Sequence, residues 1–321
     1  MKVSVLGCGR WGTFLGWYSD RIGHETTIWG RESSGNLREL DRTRKNRFLN
    51  LSDTTALSTD LKKCVEESDY VIISISSQHL RGLLEEIKKY DYENTVFILC
   101  MKGIEYTTGK TLTEVCSEVL GDRARVAIWV GPGHVQSFVK NIPNCMVIDS
   151  INENITLDVV DRFSSSLIRL YIGEDLVGDE VGSAAKNVVG IAAGMLDGYG
   201  YPALKGALMA RGAREVSRLI KHMGGDELTA YGLCHLGDYE ATLFSEYSNN
   251  RRYGENFIKG IDNGGYLAEG VMTAKALVRL SETYGVDMPI AKGVDDVISG
   301  KIDPDKQLKE MFVRSVKKEF Y

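Results

Sequence analysis

The N-terminal stretch constrains the fold of this chain more than any other. Lys2 to Leu6 is a short strand pattern that ends in Gly7-Cys8-Gly9-Arg10-Trp11-Gly12. A helix pattern follows from Trp11 to about Ile22, Gly23 stops it, and Thr26 to Trp29 reads as a second strand. A lone GxGxxG is weak, but between a strand and a helix in such a unit it is the fingerprint of dinucleotide binding. Gly7 permits the tight turn, Gly9 lets the backbone approach a pyrophosphate, and Gly12 allows the helix to pack closely on the strand. The phosphates then sit at the helix N-terminus, where free N–H groups and the helix dipole favour anions. The plain alternative is a glycine-rich connection with no ligand.

The second strand ends Trp29-Gly30-Arg31, without the acid that holds an NAD ribose. An arginine there can pair with the 2′-phosphate of NADP. Glu32, one residue later, points the other way. The residues favour NADP(H) and leave NAD(H) open.

Strand patterns recur at Tyr70–Ile75, Thr95–Leu99, Val126–Val130 and Cys145–Ile148. Helix patterns lie between and after them at Leu80–Lys89, Lys110–Leu120 and Ile155–Leu167; Asn36–Arg47 also reads as helix and Phe48–Ser58 as loop. This alternation specifies a doubly wound α/β domain. Lys102 follows one strand's carboxyl end and Gly131-Pro132-Gly133-His134 follows another, the edge where open parallel sheets bind ligands. From Glu180 onward strand patterns largely vanish. Helix patterns at 203–223, 226–231, 256–261, 270–284, 293–299 and 307–316 take over. The division falls near residue 178, giving an NAD(P)-binding domain over 1–178 and an all-helical domain over 179–321.

Composition narrows the class of function. The 321-residue chain has a formal net charge of -5, with no basic face to suggest nucleic acid. Its six cysteines are scattered, with no CxxC pair and no histidine at zinc spacing, which fits free thiols in a reducing cytoplasm and no metal site. No leader pattern opens the sequence and no apolar run reaches membrane-spanning length. The expected location is cytoplasmic.

One cation stands out in the second half. Lys186 lies in Asp179–Gly200, a helix pattern of small apolar residues that includes Val181, Ala184, Ala185, Val188 and Val189. Burial disfavours an ammonium, lowers its pKa and makes a lysine useful in proton transfer near neutral pH. The competing reading is a lysine that snorkels to solvent from the helix edge.

Several motifs follow one another in a specific order: GxGxWG at Gly7–Gly12, KGIE at Lys102–Glu105, GPGH at Gly131–His134 and AAKNVVGIAAGMLDGYG at Ala184–Gly200. LGD at Leu236–Asp238, NNRRYG at Asn249–Gly254 and AEG at Ala268–Gly270 complete the series. Over nearly the whole chain this series resembles the bacterial-type NAD(P)-dependent sn-glycerol-3-phosphate dehydrogenases. The resemblance implies a Rossmann-type domain followed by an all-helical one, an active site between them, and a homodimer. It implies hydride transfer between NAD(P)H and dihydroxyacetone phosphate, giving sn-glycerol 3-phosphate for phospholipid headgroups. Lys186 matches the family's catalytic lysine, Asp238 the acid beside it, and Lys102 a lysine near both cofactor and substrate. Arg10, Trp11, Arg31, Val135, Asn249 and Glu269 fall on cofactor-contacting positions, with Gly7, Gly9, Gly12 and Lys102. Lys102, Gly131, Gly133, Lys186, Asp238, Ser248, Asn249 and Asn250 fall on substrate-binding ones.

The chain departs from that pattern on the substrate side. Asn249 stands where the family's loop has an arginine that grips the substrate phosphate, and asparagine brings no charge or planar fork. Gly133 replaces a serine or threonine, and Ser76 a proline. Arg251 or Arg252 could swing in to restore the charge. Alternatively, the chain is a paralogous NAD(P)-dependent reductase of a different small oxo compound. A non-catalytic redox-sensing dinucleotide binder is a third reading, against which the retention of Lys186 and Asp238 argues. His24, His79, His222 and His235 read as structural or surface residues, and His134 lines the cleft turn without an assigned role. Arg211, Arg214 and Arg218 read as a solvated or salt-bridged face.

Overall fold

Short apolar strands punctuated by glycine turns build the first half of the molecule, a computed structural model that describes residues 1–265, 268–313, 318 and 319. The elements in order are β1 (Lys2–Leu6), α1 (Arg10–Arg21), β2 (Glu25–Trp29), α2 (Gly35–Thr43), β3 (Ala56–Ser58), α3 (Leu61–Glu66), β4 (Tyr70–Ile73), α4 (Leu80–Ile87), β5 (Val96–Leu99) and α5 (Leu112–Leu120). Then come β6 (Arg125–Val130), α6 (Val135–Phe138), β7 (Asn144–Asp149), α7 (Glu153–Phe163) and β8 (Ile168–Ile172). The strands form one sheet in the order β3-β2-β1-β4-β5-β6-β7-β8. Pairing is parallel throughout except between β6 and β7. The order reverses at β1 and β4, where Leu6 pairs with Trp29 on one side and Ile73 on the other. A topological switch point of this kind opens a crevice at the strands' carboxyl ends.

Helices cover both faces of the sheet. On one, Phe14, Leu15 and Tyr18 of α1 and Val159 and Phe163 of α7 pack against Val5, Ile72 and Trp129. On the other, Leu83, Leu84 and Ile87 of α4 and Val115 and Val119 of α5 pack against Leu6, Phe97 and Leu99. Burying each such side chain contributes roughly 1.5–3 kcal/mol, which is why the strand interiors are apolar on both sides.

The second half contains only helical elements among the described residues. They are α8 (Leu176–Gly198), α9 (Lys205–His222), α10 (Asn249–Ile258), α11 (Glu269–Tyr284), α12 (Pro289–Ile298) and α13 (Pro304–Phe312), with short 3-10 and π-helical turns between α9 and α10. The side chain of Asp175 caps α8 by accepting the Gly178 N–H at 3.1 Å. α8 is buried along nearly its whole length and forms the axis around which α9, α11 and α12 pack.

The structure differs from the sequence expectations at several elements. Strand β8 carries the sheet beyond the expected helix at 155–167, which ends at Phe163. β3 and α3 occupy a stretch in which no strand or helix was expected. The helix expected over 256–261 begins at Asn249, because Ser248 acts as its N-cap and accepts the Arg251 N–H at 3.3 Å. The helix expected over 307–316 is helical to Phe312, and residues 314–317 lie outside the described ones.

Candidate active site

A cleft of about 570 Å³ runs from the glycine turn after β1 to the middle of α8. Its outer floor is the fingerprint. Gly7 adopts φ +124°, a left-handed value that favours glycine, and a Cβ there would overlap the Ser74 carbonyl. A Cβ on Gly12 would overlap the Gly7 carbonyl, while the space a Gly9 Cβ would enter is open. Gly9 is the N-cap of α1 and offers no side-chain cap, so the first-turn N–H groups face the cleft. An open backbone, uncapped donors and no acid in the first turn fit the diphosphate of a dinucleotide.

Trp11 and Val135 wall this region, with Ser34 and Asn36 at its outer end. Arg31 is exposed and lies outside the lining; its carbonyl accepts the Ser34 N–H at 2.8 Å. Gly133 lines the cleft, but a Cβ there would stand 2.5 Å from the Phe138 ring. Phe138 stacks on Phe14 at 5.0 Å and lies 6.3 Å from Trp11. An aromatic ring therefore fills the space beside Gly133 that a larger residue would need.

At the inner end three charged side chains meet. Lys186 projects from α8 with its Nζ 2.5 Å from Asp238 Oδ2, and it donates to Thr242 Oγ1 at 2.8 Å. Lys102, from the loop after β5, donates to the same Asp238 oxygen at 2.7 Å and to the Gly131 carbonyl at 2.6 Å. Gly131 itself is outside the cleft lining and contributes through that carbonyl. Burial among the apolar residues of α8 lowers the Lys186 pKa to about 7. Asp238 pulls it back up and the Lys102 ammonium pushes it down. The arrangement supplies a buried amine that gains or loses a proton near neutral pH.

The wall facing α1 is the start of α10, where Ser248, Asn249 and Asn250 line the cleft. Asn250 is committed to the scaffold: its Nδ2 donates to Asn187 Oδ1 at 2.9 Å and its Oδ1 accepts the Gly270 N–H at 3.0 Å. Arg251 and Arg252 lie outside the lining. Arg251 is held by Asp197 at 2.6 Å and Glu255 at 2.9 Å, and Arg252 donates to the Glu246 carbonyl at 2.9 Å. Neither side chain reaches the cleft lining in this arrangement. Glu269 lines it and accepts the Ser77 N–H at 3.3 Å, tying α11 to the loop after β4.

Sequence reasoning missed Thr242, Asn187 and the role of His235. Asn187 donates to the Lys102 carbonyl at 3.0 Å, which fixes Lys102 relative to α8. His235 is fully buried; its Nδ1–H donates to the Gly182 carbonyl at 2.8 Å, so its Nε2 accepts from the Tyr239 hydroxyl at 2.6 Å. Burial lowers its pKa to about 4, and the neutral ring ties the Asp238 turn to α8 one turn before Lys186. Asn187 beside Lys186 was legible as a neighbour, whereas Thr242 and His235 carry no local pattern. Arg211, Arg214 and Arg218 lie off the cleft; Arg214 pairs with Glu227 at 3.2 Å.

Two family models match the chain. One for the N-terminus of NAD-dependent glycerol-3-phosphate dehydrogenase covers residues 2–156, and one for its C-terminus covers residues 175–309. The glycerol-3-phosphate dehydrogenase [NAD(P)+] of Thermoanaerobacter sp. (strain X514) is 35% identical, spanning 100% of this chain and 99% of that protein. The one from Chlorobium limicola is 35% identical, spanning 100% of both chains. The crystal structure of glycerol-3-phosphate dehydrogenase from Coxiella burnetii superposes with a TM-score of 0.91 at 26% identity, covering 98% of this chain and 99% of that one.

Proposed function

Because the chain belongs to the NAD-dependent glycerol-3-phosphate dehydrogenase family, we propose that it interconverts dihydroxyacetone phosphate and sn-glycerol 3-phosphate with Lys186 as the acid and base. It is an oxidoreductase that acts on a CH–OH group with NAD or NADP. One observation carries the residue assignment: a buried lysine with a pKa of about 7 stands beside Asp238 and Lys102 in the cleft that the glycine turn opens. The comparisons support this activity and not the rival reading of a reductase for a different oxo compound.

The nicotinamide, when bound, supplies the hydride for reduction and takes it in reverse. The protein's part is proton transfer and positioning. Lys186 delivers a proton to the carbonyl oxygen as it gains charge and takes one from the hydroxyl in oxidation. Asp238 keeps enough of the ammonium charged for this, and Thr242 fixes its direction. Lys102, anchored on Asp238 and the Gly131 carbonyl, is a second donor toward the reacting oxygen. The backbone of Gly7, Gly9 and Gly12 and the first-turn amides of Arg10 and Trp11 serve the diphosphate. Val135 and Glu269 flank the cofactor with Lys102 and Asn249, and Arg31 reaches a 2′-phosphate, which makes NADP the better-matched form. Gly131, Gly133, Ser248, Asn249 and Asn250 complete the substrate end.

Purified protein should oxidise NADPH when dihydroxyacetone phosphate is added, and Lys186→Ala should slow this by about 10²- to 10⁴-fold, the usual weight of general acid–base catalysis. No turnover at millimolar substrate with cofactor binding intact would sink the assignment. We also propose a division of the chain at residue 178, a homodimer, a cytoplasmic location and a role in supplying phospholipid headgroups. No described helix is long and apolar enough to cross a membrane, and the six cysteines are free thiols, as a reducing compartment allows. Light scattering reading one chain instead of two would remove the dimer.

A further inference from the structure

We propose that the side chain of Arg10 grips the substrate's phosphate, supplying from α1 the charge that Asn249 does not bring to the facing wall. This rests on the glycerol-3-phosphate reading above. The Lys and Arg side chains that line the cleft are those of Arg10, Lys102 and Lys186. Lys102 and Lys186 converge on one oxygen of Asp238 at the inner end. Arg10 forms no ion pair with any carboxylate among the described residues; the polar contact it makes is a donation from Nη1 to the Tyr247 carbonyl at 3.3 Å.

That contact fixes its direction. The side chain leaves the first position of α1 and crosses the cleft to the residue just before Ser248, Asn249 and Asn250. Its guanidinium also lies 5.9 Å from the centre of the Phe48 ring, whose other cation is Arg47 at 4.6 Å. The backbone of α1 thus faces the diphosphate site, while the Arg10 side chain reaches the start of α10. Asn250 there is hydrogen-bonded to Asn187, the neighbour of Lys186. A phosphate held between Arg10 and this helix start leaves the carbonyl of a three-carbon substrate near Lys186.

Two further observations point to an anion. The cleft walls, Arg47 and Arg252 all hold the Arg10 guanidinium below its ordinary pKa, an unfavourable charge environment that a dianion relieves. On the same wall His134 packs edge-on against Tyr247 at 5.9 Å, and its buried Nε2 has no protein partner. Buried polar atoms are normally satisfied, so an unmatched nitrogen in the cleft is completed by a ligand or water.

The shared chemistry is a phosphate group, and either the substrate or the cofactor could bring it. Arg10→Ser and Asn249→Arg, alone and combined, separate these sources through the KM for dihydroxyacetone phosphate and the NADPH Kd read by fluorescence. Arg10→Ser should raise the KM by roughly 10- to 100-fold, the range for losing a hydrogen bond to a charged group. The preference for dihydroxyacetone phosphate over dihydroxyacetone should fall by the same factor, with the NADPH Kd held. Adding Asn249→Arg should recover much of the loss, and Arg10→Lys should fall between, since it keeps charge without the planar fork. A weaker NADPH Kd with the KM spared assigns the guanidinium to the cofactor and overturns the proposal, as does no change in either. If wild type reduces no dihydroxyacetone phosphate, the activity reading fails instead. Inorganic phosphate binding to the NADPH-loaded protein then decides: its loss in Arg10→Ser upholds the site, and equal binding overturns it.

Discussion

On the proposed role of Lys186 as acid and base, the reaction's pH dependence is a direct readout of its burial. Reduction needs the ammonium and oxidation needs the amine, so with a pKa of about 7 the reductive rate should fall, and the oxidative rate rise, as pH climbs through about 7. Initial rates in both directions across that range check this. Asp238→Asn removes the charge that raises this pKa, so both midpoints should move to lower pH. The same burial has a sign in stability. The unfolded lysine keeps its proton up to about 10.5, so between about 7 and 10.5 the unfolded state binds more protons and the fold gains stability with rising pH. The His235–Tyr239 pair gives a second test. Tyr239→Phe leaves the buried His235 Nε2 without its donor and should cost about 1–3 kcal/mol of stability in denaturant titrations, the penalty for an unsatisfied buried polar group.

The contact between α8 and α10 positions the α10 wall of the cleft, and it is made by glycine. A Cβ on Gly194 would overlap the Arg251 carbonyl, and one on Gly254 would overlap the Ile191 carbonyl. Gly194→Ala should therefore push α10 away and cost about 1–3 kcal/mol, as overpacking does, while raising the substrate KM more than the cofactor Kd. Thermal melts and initial rates together read both. This contact also shows what the sequence could and could not reveal. The fingerprint was legible from its glycines, and β4, β5 and α8 from their apolar runs. The start of α10 was not, since Asn249-Asn250-Arg251-Arg252 is polar and reads as loop; its helicity comes from the Ser248 cap and from Gly254 packed on α8. β8 was hidden because only two of its residues, Ile168 and Leu170, are buried. Lys186, Asp238 and Lys102 were assigned through ordered motifs, whereas Thr242 reaches Lys186 through a π-helical turn at Glu240–Phe244 that no residue pattern announces.

Across the whole molecule, side-chain ties join the sheet half to the helical half. Lys102 meets Asp238, Asn187 meets the Lys102 carbonyl, Ser77 meets Glu269, and the Thr113 N–H donates to Glu180 at 2.9 Å. Burial raises the Glu180 pKa to about 7. Because most of these ties border the cleft, NADPH should stabilise both halves as one unit. At a hundred times its Kd it should add about 2.7 kcal/mol and raise the Tm in a single transition. A shift confined to one of two resolved transitions would show the halves melting independently. The glycine contact carries one more consequence, for how a protein like this can change over generations. The main chain behind the α10 wall of the cleft has no slack, since the space a side chain would take at 194 or 254 is already filled by a carbonyl. Drift toward a new ligand is channelled into side chains projecting from the rim, at 10 and 249, where exchanging one residue leaves the frame standing. A binding charge can then migrate from one wall to the other by two ordinary substitutions, with the proton-transfer apparatus inherited intact.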